Sequence, residues 1–255
     1  MVIVSNLTKT FKLSRQQKRE MGEDFTGDTV DAVRDISFTC QPGRVFALLG
    51  PNGAGKTTTL RMIATMLKPT GGTISVAGFD TVAKSQDVRK HLGFLTGNTG
   101  LYDRLTPREM VKYFADLHGL DEAVFRSKCD AYFNLLDMNE FADRRIAKLS
   151  SGMRQKVSIV RTLIHDPDVI VFDEPTNGLD VVTSRNIVRI IRDCKTAGKT
   201  VIFSTHRMGE VSQLSDDMAI IHKGSLCFCG TYDAFHSGMT TPSLEDEFIR
   251  IIEEA

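Results

Sequence analysis

Hydrophobic positions along the chain fall into two patterns. Nearly continuous apolar runs occur at 44–50 (RVFALLG), 169–172 (VIVF) and 200–205 (TVIFST). Short runs without alternation mark strands covered on both faces, as in a parallel sheet. The second pattern has helical spacing. Leu60, Ile63, Ala64 and Leu67 recur at i, i+3, i+4 and i+7. They predict a helix over 56–67, stopped by Pro69 and Gly71-Gly72. Met153, Val157, Val160 and Ile164 predict another, beginning near Ser151. Ile187, Ile190, Ile191 and Cys194 line one face of a third.

Residues 1–11 and 30–40 read as strands, and the polar insert 12–29 between them reads as a loop. Residues 218–230 read as a hairpin turning at Lys223-Gly224. From about 100 to 165 the pattern is helical. Thr106-Pro107-Arg108-Glu109 supplies a capping box with proline at the first helical position. A short helix is predicted near 242–253. Together these elements predict a mixed α/β core interrupted by a helical insertion.

Composition narrows the picture. The 255 residues suffice for one large domain or two small ones. With 41% hydrophobic and 25% charged residues, a packed core is expected. Thirty-two basic and 32 acidic residues cancel, which argues against bulk attraction to nucleic acid or anionic lipid. Arg15, Lys18 and Arg19, with Glu20 beside them, read as a solvated loop. The five cysteines are an odd number with no secretory signal ahead of them, which fits a reducing cytosol. Cys227 and Cys229 share a strand face, but no second Cys or His pair follows nearby, so a buried structural role is expected. No apolar run approaches the ~20 residues of a membrane span. Work at a membrane would need a partner.

Three apolar strands end in chemistry. GPNGAGKT follows the first: Gly50, Pro51, Asn52, Gly53, Ala54, Gly55, Lys56 and Thr57, with Thr58 next. Glycines let backbone amides turn toward phosphate oxygens, and the following helix start adds partial positive charge. Lys56 would reach the β and γ phosphates, and Thr57 would offer its hydroxyl to Mg²⁺. The second strand ends in Asp173 and Glu174. Asp173 would hold Mg²⁺, and Glu174 would polarise the attacking water. The third ends at His206, a γ-phosphate contact if the three ends lie together, because ligands of parallel sheets bind beyond the strands' carboxyl ends.

The segments GPNGAGKTTTL, LSSGM (149–153), VFDEP, NGLD (177–180) and STH (204–206) resemble, in order and spacing, the ATP-binding subunits of ABC transporters. The similarity covers nearly the whole chain. Within that family, LLGPNGAGKTTTLRMIATML and GLYDRLTPRE look closest to the sodium-export, NatA-like subgroup. The resemblance implies an α/β P-loop NTPase cassette, with a mixed sheet core, an antiparallel β edge and a helical subdomain. It implies a core of about 1–97 and 166–240, a helical subdomain of about 98–165 and a C-terminal helix of about 242–253. It further implies ATP hydrolysis with Mg²⁺ to power an exporter, possibly for Na⁺. The partners implied are a separately encoded membrane permease and a second copy of this chain, with no nucleic acid. The chain would then sit on the cytoplasmic face of the membrane, held there by the permease.

In this family the signature helix start contacts ATP on the opposite subunit. Here that role falls to Ser150, Ser151, Gly152 and Met153. Ser151 stands where glycine is common, and would be strained if that position needs a positive φ. Gly97 stands where the family carries a Mg²⁺-linked glutamine, with Asn98 as the neighbouring substitute. Phe11 is matched to the adenine-stacking aromatic, with Phe25 as competitor and a core role as the alternative for either. Asp180 resembles the family's cross-dimer D-loop residue, and reads equally as a helix N-cap. Tyr102, Leu105 and Phe114 are candidates for permease contact, or for core packing. A soluble ATPase acting on ribosomes or DNA, and a regulatory cassette, are the alternative functions.

Overall fold

A computed structural model of the chain describes residues 1–14, 27–96 and 100–254. The basic cluster at 15–20, Phe25, Gly97 and Asn98 lie outside them. Strands β1 (Val2–Lys12) and β2 (Thr29–Cys40) pair antiparallel, with Val2 opposite Cys40 and Lys12 opposite Thr29. Strand β3 (Val45–Leu49) is buried at all five positions. Helix α1 (Lys56–Ile63) is shorter than its apolar spacing predicts. Thr65 turns left-handed at φ 59°, and the amides of Met66 and Leu67 bond back to the Arg61 carbonyl. That is a local helix stop, reached before Pro69. Gly71-Gly72 does not end a helix. It opens strand β4 (Gly71–Val76), which pairs antiparallel with β1 and leads to β5 (Phe79–Asp80).

Helix α2 (Ser85–His91) runs directly into β6 (Leu92–Leu95). Helices α3 (Pro107–Leu117), α4 (Glu122–Leu135) and α5 (Ser151–Leu163) follow, with short 3-10 turns between the last two. The capping box forms at α3: the Glu109 amide donates to Thr106 Oγ1 at 3.2 Å, and the Thr106 amide donates to Glu109 Oε2 at 2.8 Å. The chain continues through β7 (Val169–Asp173), α6 (Val181–Thr196), β8 (Thr200–Thr205) and α7 (Met208–Leu214). It closes with β9 (Asp217–His222), β10 (Ser225–Thr231), α8 (Tyr232–Ser237) and α9 (Leu244–Glu253). The β9–β10 turn places Lys223 at φ 46° and Gly224 at φ 85°, the paired left-handed geometry of a tight hairpin.

The strands form two sheets: β2-β1-β4-β5, and β10-β9-β3-β8-β7-β6. In the second, β9, β3, β8, β7 and β6 are parallel and β10 is antiparallel. Both faces of that sheet are covered. Val45, Ala47 and Leu49 pack into a core shared with α3 to α6, while Phe46 and Leu48 face α1 and the four-stranded sheet. This two-sided burial is why β3 reads as an unbroken apolar run. At the edge of the same sheet the expectation for Cys227 and Cys229 fails. Cys227 is half-buried and Cys229 exposed, and a register shift between Leu226 and Phe228 interrupts the pairing of β10 with β9 at this point. No helix among the described residues is long and apolar enough to cross a membrane.

Candidate functional site

Strands β3, β8 and β7 are parallel neighbours, so their carboxyl ends meet: Leu49 lies opposite Thr205, and Asp173 opposite Ser204. The loop from β3 to α1 needs its glycines for room as well as for torsion. A Cβ on Gly50 would come within 2.2 Å of the Ile221 carbonyl oxygen. Gly55 caps α1 at φ 108°, and a Cβ there would meet the Ala32 oxygen at 2.4 Å. No side chain caps that helix start, so its first amides can serve an anion. Pro51 is half-buried, while Asn52 and Gly53 are exposed at the loop's tip. Ala54 is buried and its carbonyl accepts from the Gly224 amide. Thr57 and Thr58 are half-buried at the mouth.

Lys56 is 5% exposed; its ammonium donates to the carbonyls of Gly50 at 2.6 Å and Pro51 at 3.0 Å. Burial pulls its pKa below the ordinary lysine value, against the opposing pull of Glu174 and Asp173. A phosphate alongside would favour the charged form. Asp173 is fixed by two hydroxyls on one oxygen: Thr57 Oγ1 donates at 3.0 Å and Ser204 Oγ at 2.6 Å. A hydroxyl against a carboxylate is the hard-oxygen donor set that suits Mg²⁺.

Glu174 sits at φ 50°, a left-handed conformation that costs a non-glycine residue energy and clusters at functional sites. Its amide donates to Ser204 Oγ at 3.0 Å. One carboxylate oxygen is 3.3 Å from His206 Nδ1 and 3.9 Å from Lys56 Nζ. The other accepts from Asn177 Nδ2 at 3.0 Å. The phosphate loop, both carboxylates and His206 are therefore one constellation, as the strand ends predicted.

The signature residues stand apart. Among the described residues no hydrogen bond joins Ser150–Met153 to the phosphate loop. Ser150 caps α5 by accepting from the Met153 amide at 3.3 Å. Ser151 is exposed, and Gly152 and Met153 are half-buried. Neither Ser151 nor Gly152 has a positive φ, so the strain foreseen for serine at 151 does not arise. Across a cleft of about 470 Å³, Ser151 and Gln155 face Thr57, Asp173 and Glu174. Asp180 is the N-cap of α6, accepting from the Thr183 amide and hydroxyl at 2.8 Å each. The amide bond in particular holds its pKa below the usual carboxylate value. Phe11 is 38% exposed with Lys9 over its ring, which removes the core alternative for that residue.

Three polar residues here escaped sequence reasoning. Ser204 lies in the segment STH, where a serine beside a histidine signals no role by itself. Gln155 lies one helical turn after Ser151 on α5, a spacing that places both on one face. Glu210, four residues past His206, accepts from Thr176 Oγ1 at 2.5 Å and Thr205 Oγ1 at 2.6 Å. No motif announced it.

Comparison with known proteins identifies the family. The family model described as ABC transporter matches residues 33–177. The ABC transporter ATP-binding protein NatA of Bacillus subtilis is 43% identical over 221 residues, covering 86% of this chain and 90% of that protein. The Nod factor export ATP-binding protein I of Ralstonia nicotianae is 36% identical, covering 75% and 60% respectively. A solved structure described as an ATP binding subunit of an ABC transporter superposes with a TM-score of 0.85 at 26% identity, over 98% of this chain and 99% of that one. The dimeric ATP-binding cassette MJ0796 bound to ADP and Pi shares the fold, with a TM-score of 0.78 at 24% identity over 91% and 98%. The chain belongs to the ABC transporter family, among its ATP-binding proteins.

Proposed function

We propose that the chain is the ATP-hydrolysing subunit of a membrane exporter, and that two copies close head to tail around two ATP molecules. The observation that carries the proposal is the constellation at the ends of β3, β7 and β8. In this reading the loop 50–58 wraps the phosphates, and Lys56 neutralises their charge. Thr57 and Asp173 hold Mg²⁺, which supplies further neutralisation of the phosphate oxygens when bound. Glu174 accepts a hydrogen bond from the attacking water and takes its proton. His206, oriented through Nδ1 by Glu174, turns its other ring nitrogen to the γ-phosphate. Phe11, exposed near the end of β1, stacks on the adenine in this reading.

Ser150 to Met153 serve the partner's ATP in this reading. Each charge-assisted hydrogen bond across the interface adds about 1.5–3 kcal/mol, enough in sum to make dimerisation depend on ATP. Asp180 lies at the same contact. Next to it Val181 and Val182 are 84% and 66% exposed, an apolar pair that a second copy would cover. The permease docks on the helical region 100–165. A cavity of about 370 Å³ opens there between Leu92, Phe94, Phe114, His118, Arg161 and His165, and the surrounding Met66, Tyr102, Tyr113 and Leu117 are exposed. Leu105 and Phe114 pack partly against the core and support that surface. Export is favoured by the Nod factor relatives, and Na⁺ is the cargo suggested by the resemblance to the NatA-like subgroup.

Light scattering on the Glu174→Gln chain tests the dimer. Mg-ATP is expected to double its molar mass, and Ser150→Arg to abolish the change. A mass that stays monomeric while ATP binds would overturn the head-to-tail reading.

A further inference from the structure

Glu210 mirrors Glu174. The catalytic carboxylate touches Asn177 with one oxygen and approaches His206 with the other. Glu210 accepts from Thr176 on one oxygen and from Thr205 on the other. Thr176 immediately precedes Asn177, and Thr205 immediately precedes His206. Two carboxylates therefore bridge the same two loops. One faces the reaction site, and the second lies behind it. Thr176 and Thr205 are 6% and 1% exposed, and the Glu210 side chain is 14% exposed. Arg207 completes the rear bridge: its amide donates to Thr205 Oγ1 at 3.1 Å, and its guanidinium lies 3.2 Å from Glu210 Oε1. Hydrogen bonds to an ionised acceptor are the stronger kind, and burial shields them from competing water.

We propose that Glu210 is a positioning residue for hydrolysis: it clamps the loop after β7 to the end of β8, and so sets where Asn177 and His206 meet Glu174. The inference rests on Glu174 and His206 acting as proposed above. The clamp touches neither Lys56 nor Thr57, so its loss would slow the chemical step and spare nucleotide binding. It also ties the hydrolysis residues to the segment leading to Asp180. Movement of that segment on closure would reach His206 through Thr176, Glu210 and Thr205.

A double-mutant cycle tests this. Turnover and binding of a fluorescent ATP analogue are measured for wild type, Glu210→Ala, His206→Gln and the double variant. Glu210→Ala is expected to lower kcat about tenfold to a hundredfold with nucleotide affinity held within about twofold. In the His206→Gln background the same change is expected to cost less than about threefold, because residues acting as one unit are not additive. Thr176→Val, which removes one arm and keeps the shape, is expected to lower kcat by a smaller factor with unchanged affinity. It gives the readout if Glu210→Ala fails to fold. An unchanged kcat overturns the proposal, as does a loss that multiplies fully in the double variant, or one that affects affinity as much as kcat. Glu174→Gln, measured alongside, separates the two failures: if it retains turnover, the underlying reading of the site is at fault instead.

Discussion

At the strand ends of the six-stranded sheet, buried charge has partners. Asp173 accepts two hydroxyls, Glu210 accepts two more, and Lys56 is held by two carbonyls. The cavity beside α5 is built differently. Arg161 is 7% exposed, and among the described residues it meets the Gly100 carbonyl at 3.4 Å and the face of Phe114. Burial brings its pKa down to about 10. Close by, His118 and His165 stack with ring centroids 3.7 Å apart. Burial drives His165 down to about 4, with His118 adding to the effect. The first region is prepared for a small, highly charged ligand. The second is an apolar recess whose polar groups meet few partners among the described residues, and it is where the permease is proposed to dock.

That contrast can be broken at several points. The largest effect is expected at Glu174. Glu174→Gln should reduce kcat by about 10²–10⁴-fold, the range lost with a general base, while leaving ATP affinity nearly intact in a binding titration. The next is a pH effect from the recess. His165 titrates near 6.5 when unfolded and near 4 when folded, so the unfolded chain binds the extra proton. The stability it leaves intact at neutral pH is therefore lost as pH falls from about 6.5 through 4, amounting to about 3 kcal/mol. Denaturant melts across that range should show the slope, and His165→Phe should flatten it. A smaller change is expected from Thr106→Ala, which removes half of the capping box at the start of α3. It should cost about 1 kcal/mol, read as a shifted denaturation midpoint. The smallest sharpens the comparison directly. Arg161→Met replaces a buried charge that has no acidic partner among the described residues, so isolated-chain stability should change by less than about 1 kcal/mol. A larger loss would mean that the recess is already complete without a partner.

Much of this was legible because the chemistry lies in contiguous motifs at strand ends. The strands β3, β7 and β8 showed as unbroken apolar runs because both their faces are buried. The hairpin was marked by Lys223-Gly224, and α3 by its capping box. Other parts were hidden for identifiable reasons. Strand β6 is four residues long and follows α2 without a break, so neither periodicity had room to declare itself. Strand β4 opens with two glycines, which read as a helix stop. The end of α1 depends on Thr65 adopting a left-handed conformation, an unusual choice for a β-branched residue. Cys227 and Cys229 read as one strand face, but β10 carries a register shift between Leu226 and Phe228 that no residue pattern announced. Glu210 was invisible because its partners, Thr176 and Thr205, come from two other segments and meet only through the sheet.

The most direct test of the composite site is complementation in a mixture. One chain carries Lys56→Ala, which breaks the phosphate loop and leaves the signature helix whole. The other carries Ser150→Arg, which does the reverse. Each alone should be nearly inactive. If the site is shared between copies, mixing them should restore ATP turnover, because half of the sites in a mixed dimer combine an intact loop with an intact helix start. If each chain hydrolyses ATP by itself, mixing will restore nothing, and the head-to-tail arrangement will be wrong.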